Sequence, residues 1–600
     1  MYQSNVPSPS LDLALIGNCA IGALIDAHGD LLWCCLPRFD GDPVFHGLLG
    51  SAGDAADGRW AIELEGCAQT EQAYDPGTAV LRTRLTDADG GAIEIADFAP
   101  RFRQHDRMFR PAQLVRRVRP LAGHPRVRIR LRPRADWGAR APVLTRGSNH
   151  LRYVFADFAL RLNTNAPITY VAEETWFSLH APVSLLLGPD ETLAGAVEET
   201  ARAFEEQTID HWRRWTRRLA LPLEWQEATI RAAITLKLCQ FEETGAIVAA
   251  LTTSIPESPD SGRNWDYRFC WLRDAFFVVR ALNSLAEVGT MEDYLRWLHD
   301  VVRVADGHVQ PLYGIALEHA LPEREVPQLP GYRGMGPVRA GNAAFAHHQH
   351  DVYGNIVLGA AQAFWDRRLF RRADAQDFAL LERVGEQAFR VYDRPDAGMW
   401  ELRTRARVHT SSALMCWAAC DRLARIAGLL GLAARDRLWR SRAETIRARI
   451  LQAAWSDKRR AFAASFGGDE LDASVLLMAE VGFLPAQDPR FVSTVEALEA
   501  TLADGPFMRR YEEADDFGRP QTSFTVCSFW RVDALARIGR AAQARECFEA
   551  LLACRNGAGL LSEDIAPATL ELWGNFPQTY SMVGIVNGAR LLSVPWSSVV

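Results

Sequence analysis

The sequence predicts an antiparallel β-sandwich followed by a closed all-helical barrel. Three observations carry this. Apolar and polar residues alternate with period two up to about residue 190, the spacing becomes helical from about 195, and long Gly- and Pro-rich loops interrupt the helical stretches. No repeat recurs at a fixed period of about 20–50 residues, so a solenoid is not indicated.

In the first part, Val127-Arg128-Ile129-Arg130-Leu131-Arg132 alternates up to Pro133, and Ala92-Ile93-Glu94-Ile95-Ala96 follows the turn signal Asp89-Gly90-Gly91. Many short strands with Gly, Pro and Asp punctuation predict a sandwich. Further on, Ile230, Ala233, Ile234, Lys237, Leu238 and Phe241 share one helical face, with Lys237 the single polar intrusion. The same spacing recurs at Leu295, Leu298, Val302 and Ala305, and at Cys547, Phe548, Leu551 and Leu552. The segment Leu329-Pro330-Gly331-Tyr332-Arg333-Gly334-Met335-Gly336-Pro337 is too rich in Gly and Pro for a helix interior and predicts a loop of the kind that carries function. The expected domains are a sandwich over 1–195, a helical linker over 196–235 and a helical catalytic domain over 236–600.

With 48% hydrophobic and 24% charged residues in 600, wholesale disorder is excluded and a large core is available. A net charge of -7 gives no general attraction to phosphate backbones or anionic lipid, so neither nucleic acid nor a membrane is an expected partner. Met1-Tyr2-Gln3-Ser4-Asn5-Val6-Pro7 lacks the basic and apolar regions of a leader, and no window holds about 18 consecutive apolar residues. A cytoplasmic protein is expected. The 11 cysteines are scattered, several in apolar runs such as Cys34 and Cys35, and read as reduced core residues. The sequence leaves the oligomeric state open, a homo-oligomer included.

Phosphate-loop, zinc-protease, paired Cys-x-x-Cys and nucleophile-elbow motifs are all missing, which removes kinase, zincin and serine-hydrolase readings. His347-His348-Gln349-His350-Asp351 could place His347 and Asp351 on one helical face, but no second cluster completes a metal site, and these read as packed or solvated histidines. No metal and no cofactor is expected. What remains is carboxylates among aromatics: 18 tryptophans, with acids close by in Gly398-Met399-Trp400-Glu401 and Gly559-Leu560-Leu561-Ser562-Glu563-Asp564. Aromatic faces beside carboxylates suit sugar rings, and glycoside hydrolysis needs two carboxyls in different environments. Core tryptophans and solvated acids would leave the same composition, and from composition alone that is the favoured reading.

An ordered set of motifs narrows this. Ile16-Gly17-Asn18-Cys19 and Leu32-Trp33-Cys34-Cys35-Leu36-Pro37-Arg38-Phe39-Asp40 come first, then Asn264-Trp265-Asp266-Tyr267-Arg268 with Trp271-Leu272-Arg273-Asp274. Pro337-Val338-Arg339-Ala340-Gly341-Asn342 and Asp351-Val352-Tyr353-Gly354 follow. Asp515-Asp516-Phe517-Gly518, Cys527-Ser528-Phe529-Trp530 and Gly574-Asn575-Phe576-Pro577-Gln578 close the series. Over nearly its whole length the sequence resembles the glucoamylase and trehalase family of glycoside hydrolases, family 15.

The resemblance implies a β-sandwich (supersandwich) followed by an all-α (α/α)6 toroidal barrel. It implies Glu401 as general acid and Glu563 as general base, their carboxyls about 6.5–9.5 Å apart so that a water fits between base and sugar. Arg273 and Asp274 would hold the outer hydroxyls of a terminal glucose, with Trp271 and Trp400 packing on sugar rings. Arg339 and Asn342 would bind substrate, and the loop holding Phe39 and Asp40 would lean over the pocket mouth. The expected activity is exo-acting, inverting α-glucoside hydrolysis of glucoamylase type, releasing β-D-glucose from the non-reducing ends of α-glucans or oligosaccharides. The alternatives are a trehalase, hydrolysing trehalose to two glucose molecules, and a catalytically silent sugar-binding protein. Two departures bear on leaving-group recognition: Leu402 stands where fungal members carry a second Glu, and Ala413 where bacterial members often carry Lys.

Overall fold

The computed structural model describes residues 9–50, 57–305 and 308–599. Besides the small hairpin Phe102–Gln104 with Arg107–Phe109, its N-terminal part is two large antiparallel sheets. One runs in the order Leu13–Gly17, Gly22–Asp26, Leu31–Cys35, Arg59–Leu64, Arg126–Arg132, Phe177–Ser178, with Pro43–Phe45 paired to Leu31–Cys35. The other runs Val143–Arg146, His150–Val154, Ala159–Thr164, Val183–Pro189, Leu114–Ala122, Ala92–Phe98, Leu81–Asp87, Cys67–Tyr74. Alternate side chains of both sheets, such as Ile16 and Ile129 from the first and Ile95 and Leu185 from the second, share one apolar core. A short helix, α1 (Ile168–Ala172), covers part of it.

The first sheet has no solvated face at its centre. Ala14 and Ile16 point into the sandwich, whereas Leu13, Leu15, Leu24 and Trp33 join the core of the helical part. Strands buried on both faces read as continuous apolar runs, as Leu13–Gly17 does. The Trp33 indole donates a hydrogen bond of 2.7 Å to the Leu251 carbonyl, fixing one part on the other.

Helix α2 (Val197–Thr216) packs back on the second sheet. The helical part then comprises α3 (Gln226–Leu238), α4 (Leu272–Ser284), α5 (Gly289–Val304), α6 (Asp351–Ala361), α7 (Ala375–Val391), α8 (Thr410–Leu429), α9 (Ala433–Ala453), α10 (Leu477–Glu480), α11 (Pro489–Leu502), α12 (Thr525–Arg537), α13 (Ala541–Ala553) and α14 (Thr579–Leu592). Packing runs from α14 to α4, α6, α8, the 3-10 turn Ala473–Leu476 that leads into α10, then α12 and back to α14. Helices α3, α5, α7, α9, α11 and α13 flank this ring. Because α3 packs on α14, the expected boundary at 236 falls inside a helix of the ring assembly. The periodic face read from Ile230 ends at Leu238, and Phe241 belongs to the strand Gln240–Phe241. The loop over 329–337 holds one 3-10 turn, Tyr332–Gly334, and docks on the sheet domain through Gly331 N–H to the Leu49 carbonyl at 3.1 Å.

All eleven cysteines are unpaired and ten are buried. Among the described residues no helix is long and apolar enough to cross a membrane.

Candidate active site

A cavity lies at the end of the ring where the inner elements begin. Trp271 caps α4, Asp351 opens α6, His409 caps α8, Asp472 caps the 3-10 turn, Phe524 caps α12 and Gln578 caps α14. Helix N-termini carry partial positive charge, so a convergence of them suits an acid-rich site. Trp271, Arg273, Asp274, Trp400, Glu401 and Glu563 all line this cavity.

Glu401 stands in the loop between α7 and α8 with φ +61°, a left-handed conformation that costs a non-glycine residue roughly 1–2 kcal/mol. Its Oε1 accepts from Trp271 Nε1 at 2.7 Å and from Gln349 Nε2 at 3.2 Å. Both donors meet the same oxygen, which leaves Oε2 clear of them. Gln349 cannot reverse its amide at no cost, because its Oε1 accepts from Arg273 Nη1 at 3.3 Å.

Glu563 is 1% exposed and sits beside the hairpin Asp564–Ile565 and Leu572–Trp573. Its Oε1 accepts from the Tyr267 hydroxyl at 2.6 Å and its Oε2 from Asn575 N–H at 3.3 Å. Burial first, then the nearby Glu257 and Asp564 carboxylates, push its carboxyl well above the ordinary carboxylate range, against the pull of Tyr267 and Arg510. Asp564 is pushed up to about 7 for the same leading reason. The rings of Tyr267 and Trp271 meet edge to face at 5.2 Å, so two touching aromatics hold the two glutamates on one cavity.

Arg273 and Asp274 open α4 and are 9% and 8% exposed. Arg273 is anchored by an acid other than its neighbour in the chain: Nη1 donates to Asp351 Oδ2 at 2.9 Å, whereas Asp274 lies 3.9 Å from Nε. Asn355 Nδ2 steadies Asp351 at 3.1 Å. Burial raises the Asp274 carboxyl to about 6. No side chain among the described residues hydrogen-bonds it, leaving it open to a ligand hydroxyl. Trp400 donates to Asp472 Oδ2 at 2.6 Å and turns its ring among Tyr511, Phe524 and Trp530.

The family model described as glycosyl hydrolases family 15 matches residues 225–590, and one described as trehalase-like, N-terminal matches residues 5–174. The chain belongs to glycosyl hydrolases family 15. It is a glycoside hydrolase. It is 32% identical to a trehalase of Mycolicibacterium smegmatis, over 96% of this chain and 90% of that one. A trehalase of Thermoplasma volcanium is 29% identical, over 96% and 92%. In fold the chain is similar to a bacterial glucoamylase complexed with acarbose, with a TM-score of 0.71, 13% identity, and 98% and 95% of the two chains covered.

Not every residue expected at the site of this family 15 enzyme reaches the cavity. Phe39 is 2% exposed and packs edge-on against Phe241 at 5.8 Å, since an apolar ring gains more from the core than from a wet pocket mouth. Asp40 is held by Arg38 at 2.8 Å, and Arg38 also reaches Glu318 at 2.9 Å, so this loop joins the domains outside the cavity. Arg339 pairs with Glu323 at 2.8 Å and lies 5.5 Å from the Trp265 ring, backing the wall from behind. Asn342 lines the cavity, although its side chain caps the 3-10 turn Ala343–Ala346. His347 and Asp351 do not share a helical face, because α6 starts only at Asp351. Ala413 is fully buried in α8, and Leu402 lines the cavity. Tyr267, Gln349, Asp351 and Glu257 act on the site; the sequence assigns nothing there to Tyr267 or Glu257, and offers Gln349 and Asp351 a part only within a metal-like cluster. Tyr267 and Asp351 lie within the quoted motifs, which was the available signal.

Proposed function

We propose that this glycoside hydrolase cleaves α,α-trehalose with inversion, Glu401 acting as general acid and Glu563 as general base. The observation that carries the substrate is the near full-length likeness to proteins named trehalase, at about a third identity. The glucoamylase-type reading has a weaker support, since the likeness to a glucoamylase at 13% identity speaks for the fold alone. The ring is read as an (α/α)6 barrel with six inner and six outer elements, a reading supported by the closed order of packing.

In the mechanism, Arg273 and Asp274 hold one glucose at the buried end of the cavity. Glu401 Oε2 gives its proton to the bridging oxygen. Glu563, steadied by Tyr267 and Asn575, takes a proton from water attacking the opposite ring face, and one displacement inverts that centre. The departing glucose keeps its own α configuration. Proton NMR in the first minutes of trehalose hydrolysis should therefore show α- and β-glucose in equal amounts. Release of α-glucose alone would reject inversion, and release of glucose from maltose but not from trehalose would return the enzyme to the glucoamylase type.

A further inference from the structure

The motif Asp515-Asp516-Phe517-Gly518 is not used by the acid, the base or the glucose-holding pair, yet three of its residues line the cavity. It forms a tight turn in which Asp515 and Gly518 exchange backbone hydrogen bonds of 3.1 and 3.2 Å. Arg263 grips Asp515 with two bonds of 2.5 Å and the Gly518 carbonyl with a third of 2.9 Å, and the Tyr511 hydroxyl adds a fourth contact. Asp516 reaches across the cavity rim: its carboxylate accepts from Arg403 N–H at 2.6 Å and from the Thr404 hydroxyl. The turn is thus clamped to the chain two residues beyond Glu401.

What this turn displays is the Phe517 ring. The ring meets Trp265 edge to face at 5.3 Å and has the Arg263 guanidinium 5.5 Å from its centroid, yet it remains 41% exposed. Trp265 has two guanidinium groups over its ring, Arg403 at 4.4 Å and Arg339 at 5.5 Å, so Phe517, with Arg263 beside it, is the more open of the two. Exposure also orders the cavity. Arg273 and Asp274 are buried, Glu401 is half-buried, and Arg403 and Phe517 are exposed. A sugar held at the buried end with its bridging oxygen at Glu401 must project its leaving group toward Phe517.

We propose that Phe517, fixed by the Asp515–Gly518 turn, is the platform on which a hexopyranose leaving group lays its C–H face. This rests on the hydrolytic roles proposed above, and it adds the site for the second sugar. Leu402 beside the acid supplies no acceptor for that sugar, which leaves ring packing on Phe517 and the polar rim of Arg403 to hold it.

The test compares two substrates that share the buried glucose and differ in leaving group, trehalose and α-D-glucosyl fluoride. Phe517→Ala should lower the ratio of kcat/KM on trehalose to that on the fluoride by roughly two- to twelvefold, the range for one aromatic contact. Phe517→Tyr, which keeps the ring, should restore the ratio. An equal loss on both substrates, or an unchanged ratio, would overturn the proposal. If the wild-type enzyme cleaves maltose and not trehalose, the substrate assigned above fails, and the same ratio measured on maltose still decides the platform.

Discussion

In the role of base proposed above, Glu563 acts only when it has lost its proton, and its surroundings resist that loss. Burial dominates, and the Glu257 carboxylate adds to it. The acid limb of kcat/KM should accordingly lie above the ordinary carboxylate range, with activity falling as the pH drops through it. Removing the Glu257 charge while keeping its shape, in Glu257→Gln, should move that limb to lower pH, because a repulsion that favoured the protonated form is gone. A pH profile in which the limb stays put or moves up would contradict this. At this scale the sequence showed the two glutamates and the Arg273-Asp274 motif, because each stands inside a distinctive word. It did not show that Arg273 takes Asp351 as its partner, since the two are 78 positions apart and only α4 packing on α6 brings them together. Phe39 and Asp40 misled for the same reason: a loop word says nothing about which neighbour a ring or a carboxylate finds.

Among the elements, the helical faces found by spacing belong to α3, α5 and α13, all on the outer side of the ring; α5 and α13 bury one stripe, whereas α3 is buried on all sides from Ala232 to Leu238. The inner helices α4, α8 and α14 are buried along most of their length, and the spacing found no face on them. They were visible instead through the motifs at their first turns. The hairpin beside the base illustrates how tightly these ends are built. Gly574 has φ +75°, and a Cβ there would fall 2.6 Å from Glu563 Cβ and 2.7 Å from its Oε2. Gly574→Ala should therefore displace the base, lowering kcat by at least about tenfold, a part of the 10²–10⁴-fold a positioned base contributes. Thermal unfolding measured alongside should show a folded protein. Full activity in the alanine variant would mean that Glu563 tolerates displacement and is not the positioned base.

For the whole molecule, the two parts are joined by a buried charge cluster as well as by apolar surface. Arg101, from the sheet domain and 3% exposed at its side chain, grips Glu242 of the helical part at 2.7 and 2.8 Å, and Lys237 reaches the same carboxylate at 3.2 Å. His211 accepts from Arg101 at 3.0 Å and is held neutral by burial, its pKa lowered to about 3. Glu242 is pulled well below the ordinary range by these cations in spite of its burial. Glu242→Gln would take from the buried Arg101 and Lys237 the carboxylate they grip, leaving Glu287 as a nearby counter-charge, and should cost about 3–5 kcal/mol. A carboxylate with a depressed pKa contributes stability that is complete above its unfolded value of about 4.3 and is lost as pH falls through the folded one. The gap between wild type and variant, measured by denaturant unfolding, should narrow in acid. A gap that is absent at pH 7 or widens on acidification would show that the cluster does not bind the parts together.

The ring closes late in the chain: α14 packs on α3 and α4, and Asn556 reaches back to the Leu11 and Leu13 carbonyls at 2.8 Å each. The residues around the cavity run from Ala249 to Tyr580. During synthesis, therefore, the growing chain passes through hundreds of residues with one wall of the cavity absent. Catalytic power is not acquired gradually along the polypeptide. It arrives when α14 leaves the ribosome and shuts the circle, so a chain released before that helix is mute toward sugar however much of it has folded.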